Sequence, residues 1–301
     1  MKKMFAWLDA RTYQRRTIIW CKFMYLRAFI KNGFRSKTVL FYPDKPRVWH
    51  LLYSVCHVLG YYMTNDPRAK FDLAVAFEDT TVRTSDGTIA KLVARYHVLN
   101  SRCGDISKER VDKIFLETFG YGLPIDPRTY QGTYIKKYNS NAQHYGEILN
   151  KPSEPEKGFV YQKLVDNQTD KDSVTDIRTF VFGDDIVFTF YRKRSIHDRF
   201  NDDTVRATLV ETDDAFTKEE QANIIRFSKA FGTDFAEFDI LRDNKDGKIY
   251  IVDVNITTSG PVPGIHISKK NYDVFLTRLS QAFQKMAEKN SLTSSTHTPK
   301  V

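Results

Sequence analysis

Residues 234–261 read DFAEFDILRDNKDGKIYIVDVNITTSGP, and the architecture follows from how this stretch pairs with itself. Asp246-Gly247 lies between two β-rich arms, the combination a tight hairpin turn demands. With the turn centred on Asp246, Leu241 faces Ile251 and Asp239 faces Asp253. Directly opposed side chains have Cβ atoms about 5 Å apart, so paired carboxylates repel unless something positive compensates. Asn255 lies two residues beyond Asp253 and projects from the same side of the strand. An oxygen-only set of two carboxylates and one amide suits Mg²⁺, a hard cation that bridges to phosphates. A hairpin whose acids simply face water would explain the turn. It would not explain the arms, where FDIL and IYIVDVN embed the acids in apolar strands at a high desolvation cost.

The run FDILRDNKDGKIYIVDVNITTSGP resembles the signature hairpin of the ATP-grasp enzymes, such as D-alanine–D-alanine ligase and glutathione synthetase. In that family an Asp on the first arm and a Glu-x-Asn on the second bind two magnesium ions. The resemblance places Asp239 first, Asp253 in the Glu position and Asn255 in the Asn position. Asp for Glu is a departure: the shorter side chain bridges two ions less readily, so one ion or two remain open, with Mn²⁺ as the alternative metal.

Upstream segments fit the same resemblance. In Tyr134-Ile135-Lys136-Lys137-Tyr138 the family has a strand lysine that reaches the nucleotide phosphates. Adjacent strand residues point to opposite sides, so only one of the two can serve, and Lys136 is the expected one. Asn139–Gly146 would be the phosphate-covering loop, with His144 a loop residue. FVYQKLVD (159–166) resembles the adenine-binding hinge. Gln162 stands for the usual Glu, Lys163 takes the lysine place, Leu164 and Val165 offer backbone to the adenine edge, and Asp166 is a candidate for the ribose hydroxyls. Arg178 and Arg192 share one face of a long hairpin and would hold phosphate, with an Asp176–Arg192 ion pair as the plain alternative. Gly260 sits where the family sets a backbone N–H near the tetrahedral intermediate.

The implied fold is α/β and α+β: an ATP-grasp module at 121–289, preceded by a small α/β module at 38–120. The implied reaction uses Mg-ATP to turn a small-molecule carboxylate into an acyl phosphate, which an amine (less often a thiol) then captures. A kinase on the same fold and a non-catalytic nucleotide-binding scaffold are the competing readings. Asn100-Ser101-Arg102 and Asp105 are acceptor-site candidates in the first module.

The remaining pattern is consistent with that division. Thr38–Tyr42 and Phe71–Phe77 read as strands, Ala94–Leu99 as a third, and Arg47–Leu59 as a helix between the first two. Ser107–Phe119 reads as a helix capped by Ser107, and Thr217–Phe231 as one opened by a capping box, Thr217 with Glu220. Gly132–Tyr138, Phe159–Val165 and the Asp176–Arg194 hairpin supply antiparallel strands, and Lys269–Lys289 a final helix. Asn290–Val301 is a polar tail whose composition predicts disorder.

The chain has 301 residues and a formal net charge of +9, yet the excess is confined to its beginning. Residues 1–37 hold ten Lys/Arg and one acid, Asp9, and the other residues balance. A neutral body argues against a nucleic-acid partner, which would want a basic face on the folded domain. The helical pattern of residues 4–32 spreads its apolar side chains almost all round. It predicts docking on the body or a second subunit, or contact with an anionic membrane surface. No stretch approaches the roughly 20 apolar residues a membrane span needs, and Lys22 and Arg27 spoil a signal peptide. Cys21, Cys56 and Cys103 lack CxxC spacing, which predicts reduced thiols and a cytoplasmic setting.

Overall fold

The computed structural model describes residues 2–84, 86–143, 145–200, 206–261, 263 and 266–290, with backbone only over 2–13. The expected tail past Asn290, and His144, lie outside them.

Helix α1 (Lys2–Lys31) is followed by β1 (Thr38–Pro43), α2 (Leu51–Leu59), β2 (Tyr62–Thr64), β3 (Leu73–Phe77), α3 (Thr88–Val93) and β4 (Val98–Leu99). These four strands form a parallel sheet in the order β2-β1-β3-β4. Val39 and Phe41 of β1 pack in one core with Leu51, Leu52 and Val55 of α2, whereas Leu40 packs in another with Leu92 of α3. Burial on both faces explains why β3 reads as an unbroken apolar run instead of an alternating one. The short β2 and α3 were not legible in the sequence, because so few residues show no period.

Helix α4 (Lys108–Phe119) leads into β5 (Tyr134–Tyr138), β6 (Gly146–Leu149) and β7 (Phe159–Lys163), a small antiparallel sheet ordered β6-β5-β7. Ser107 caps α4 as expected, its hydroxyl accepting from Arg110 N–H. Then come β8 (Gln168–Asp170), β9 (Ser173–Phe182), β10 (Asp185–Ser195), β11 (Arg206–Val210), α5 (Thr212–Ala215), α6 (Lys218–Phe231), β12 (Phe235–Arg242), β13 (Ile249–Asn255) and α7 (Lys269–Lys289). The large antiparallel sheet runs β11-β10-β9-β12-β13, with β8 against β9. The capping box of α6 is complete in both directions.

The two faces of the large sheet differ. Ile177, Val181, Ala236, Phe238 and Ile240 form one core with residues of α4 and α6. On the opposite face Phe180, Phe182, Phe188, Phe190 and Phe235 join α2 and α7 in a second core, with Phe275 of α7 at 4.6 Å between ring centroids from Phe188. That core joins residues from before and after the Gly120–Gly132 turns. Farther along, the same face changes from aromatic to charged, and there the site lies.

Helix α1 packs on α2: Cys21 meets Ser54, the Tyr25 ring meets His57 edge-on, and Ala28 lies against Gly60. Among the described residues no helix is long and apolar enough to cross a membrane, and the three cysteines are buried and free.

Candidate active site

The β12–β13 hairpin places Asp239 directly opposite Asp253, as expected. Next to the turn, however, Leu241 lies opposite Tyr250 and not Ile251, one residue off the expected register, and the bulge between Asp239 and Ile240 is what restores the Asp239–Asp253 pairing. On its other edge β12 sets Asp239 opposite Arg178 of β9, and β9 sets Asp176 opposite Arg192 of β10. Four strands thus bring acids and arginines together by period-2 geometry and one bulge.

The result is a continuous ion-pair lattice. Arg178 Nε lies 2.9 Å from Asp239, and its Nη1 donates to Glu237. Arg192 Nη2 reaches Asp239 at 3.2 Å and Asp176 at 3.0 Å, so the plain ion pair and the cleft-side contact coexist. Arg194 pairs with Asp176 as well. Burial raises the Glu237 carboxyl to about 7, with Arg178 pulling the other way. Against the cost of burial, Arg178 and Arg192 hold Asp239 below its ordinary value. Burial also raises Asp253, Lys108 offsets part of this from 3.7 Å, and Asp239 opposite adds to it.

A cleft opens above this floor, roofed by β5 and the turn after it: Lys137, Tyr138, Ser140, Ala142, Gln143 and Tyr145, with Lys108, Arg199 and Phe200 at the sides. The turn is tied down at the end of β13. Asn141 donates from its backbone to Thr81 Oγ1 and from its side chain to the Val254 carbonyl, and Lys108 Nζ bonds Asn141 Oδ1 at 3.1 Å.

Several sequence expectations need correction. Lys137, not Lys136, lines the cleft. Lys136 turns to the other side of β5, where it pairs with Glu156 and covers the Phe159 ring at 4.4 Å. Burial and neighbouring Lys108 push the Lys137 ammonium down to about 8. Gln162 is buried and donates to both oxygens of Asp112 at 2.8 Å, and Lys163 Nζ bonds Tyr250 Oη at 2.6 Å. Leu164 N–H donates to the Thr133 carbonyl, the Val165 carbonyl accepts from Arg199, and Asp166 accepts from Gln168 and Asn244. These hinge groups are engaged within the chain. Gly260, at φ +69°, lies against Leu51, which an added Cβ would meet at 2.9 Å; it is absent from the described cleft lining. Asn100 is fully buried and clamps the start of β12, accepting from Asp234 N–H and Phe235 N–H and donating to the Phe235 carbonyl. Asp105 accepts from Ser107 N–H. Both are structural.

Glu237 and Arg194 were missed although period 2 from Asp239 and Arg192 points to them. Lys108 and Arg199 come from distant segments, and no local signal marks them.

The donors fit a hard divalent cation in type and register. Asp253 Oδ1 is buried without a hydrogen-bond partner, and Asn255 Oδ1 accepts from Thr257 N–H at 2.9 Å. No cluster of three His, Cys, Asp or Glu able to hold a metal exists among the described residues; Asp239 and Asp253 line the cleft, and Asn255 is not among its lining residues.

No family model matches this chain, and no curated protein matches it significantly. Solved structures do. The ATP-grasp ligase PsnB, complexed with the precursor peptide PsnA2 and AMPPNP, superposes with a TM-score of 0.51 at 14% identity, over 84% of this chain and 99% of that one. D-alanine–D-alanine ligase from Bacillus anthracis, complexed with ATP, gives 0.50 at 14% identity, over 84% and 96%. The chain has the ATP-grasp fold. Within the ATP-grasp fold the charged cleft lies between the small sheet and the large one.

Proposed function

We propose that this protein is an ATP-dependent ligase that activates a carboxylate as an acyl phosphate and joins it to an amine. The observation that carries this reading is the in-register Asp239–Asp253 pair, beside Arg178, Arg192 and Arg194 in a cleft of this fold. In this reading the ATP phosphates lie between Lys137 above and the arginines below. The adenosine end runs along Lys163–Asp166.

A substrate carboxylate oxygen attacks the γ-phosphorus. The bond to the β-phosphate oxygen breaks and ADP leaves. The amine nitrogen, already neutral, attacks the acyl carbon, the carbon–oxygen bond breaks, and phosphate departs as the nitrogen gives up a proton. Lys108, Lys137 and the arginines offset charge on the transferring group, the effect expected to dominate phosphoryl transfer. Magnesium held by Asp239 and Asp253, with Asn255 beside them, would neutralise phosphate oxygens.

ADP release screened over amino acids, amino sugars and amine-bearing lipids, with hydroxylamine present, tests the proposal. A hydroxamate of one carboxylate is the expected product. ADP formation with a stable phosphorylated hydroxyl and no hydroxamate would overturn it in favour of a kinase. Asp253→Asn should lose about 10²-fold or more of the turnover with unchanged circular dichroism, since relieving carboxylate repulsion does not harm the fold.

A further inference from the structure

Helix α1 carries two apolar faces on opposite sides, which is why its sequence shows no single stripe. Cys21, Tyr25 and Ala28 face α2. Ile19, Phe23, Leu26 and Ile30 face away, with 69%, 62%, 55% and 52% of their surface exposed. Their spacing of four, three and four residues aligns them in one row along the helix. At 100° per residue, Arg15 and Lys22 flank this row within about 80° on one side, and Arg16 and Arg27 do so on the other. All four cations are exposed, and none pairs with a carboxylate among the described residues. No acidic residue occurs between Asp9 and Asp44.

We infer that the outer face of α1 docks on a bilayer containing anionic lipid. The apolar row would enter the acyl boundary while the flanking cations meet headgroup phosphates. Charge selects this occupant. A second copy of the same face would press its cations against their counterparts, whereas an anionic leaflet complements all four at once. The contact with α2 is untouched, so the helix remains part of the body while it binds. Removing α1 would strip the covered face as well, and substitutions on the outer row are the cleaner probe.

The full chain is sedimented with vesicles of phosphatidylcholine plus phosphatidylglycerol, and with vesicles of phosphatidylcholine alone, at low and high salt. Sedimentation only with the anionic vesicles, weakened by salt, is expected. Phe23→Gln with Leu26→Gln should abolish it, and Lys22→Gln with Arg27→Gln should weaken it about tenfold or more. Leu116→Gln, another exposed apolar position, should leave it unchanged. Circular dichroism checks that each variant is folded. Equal binding to neutral vesicles, or binding indifferent to the Phe23/Leu26 change, overturns the inference. So does a self-association that the Phe23/Leu26 change dissolves while no vesicle binds, which would make the occupant a second copy.

Discussion

Lys137 has an ammonium held near 8 by burial and by Lys108, and this gives the proposed phosphate contact a pH signature. The free enzyme carries the charge below that value and loses it above, so kcat/KM for ATP should fall as pH rises through about 8. Lys137→Arg should flatten that limb, because a guanidinium stays protonated. Lys137→Ala should raise the KM for ATP at least tenfold, while Lys136→Ala, which only unpairs Glu156, should change it little. A sensitive Lys136 with an indifferent Lys137 would show that the nucleotide enters from the other face of β5. The choice between the two lysines was not legible in the sequence, because strand phase is set by what each face packs against, here Asp112 on one side and Glu156 on the other. Asp239 and Asp253 were legible as acids embedded in two apolar arms around an Asp-Gly turn, but the bulge that sets them opposite each other was not.

Among the elements, the β12–β13 hairpin, α4, α6 and α7 could be read from turn, cap and period signals. The brief strands β2, β8 and β11 could not, since they form by pairing with segments already in place, and α3 and α5 are too short to show a period. Asn100 belongs with them. Read as a substrate contact, it is instead a polar clamp between the end of β4 and the first residues of β12, four positions from Asp239. Its φ of +56° suits asparagine better than most residues. Asn100→Ala would strand two backbone N–H groups and a carbonyl in a buried place and strain the backbone too. A loss of about 2–4 kcal/mol by urea unfolding is expected. An unchanged midpoint would mean that water replaces the amide without cost.

At the scale of the whole molecule, sequence separates an early α/β part from a later antiparallel one, but packing does not respect that line. Phe41 and Val55 share a core with Phe180 and Phe275, and Val111 and Phe115 share another with Phe227 and Phe238. Each half left alone would display a large apolar surface to water. Cutting the chain after Gly120 should therefore yield fragments that are each insoluble when produced separately. Produced together, they should associate into a soluble particle with the circular dichroism of the parent, because the peptide link contributes only loop closure. Two fragments that each stay in solution unaided would contradict this. Heredity could thus divide the gene where it cannot divide the core.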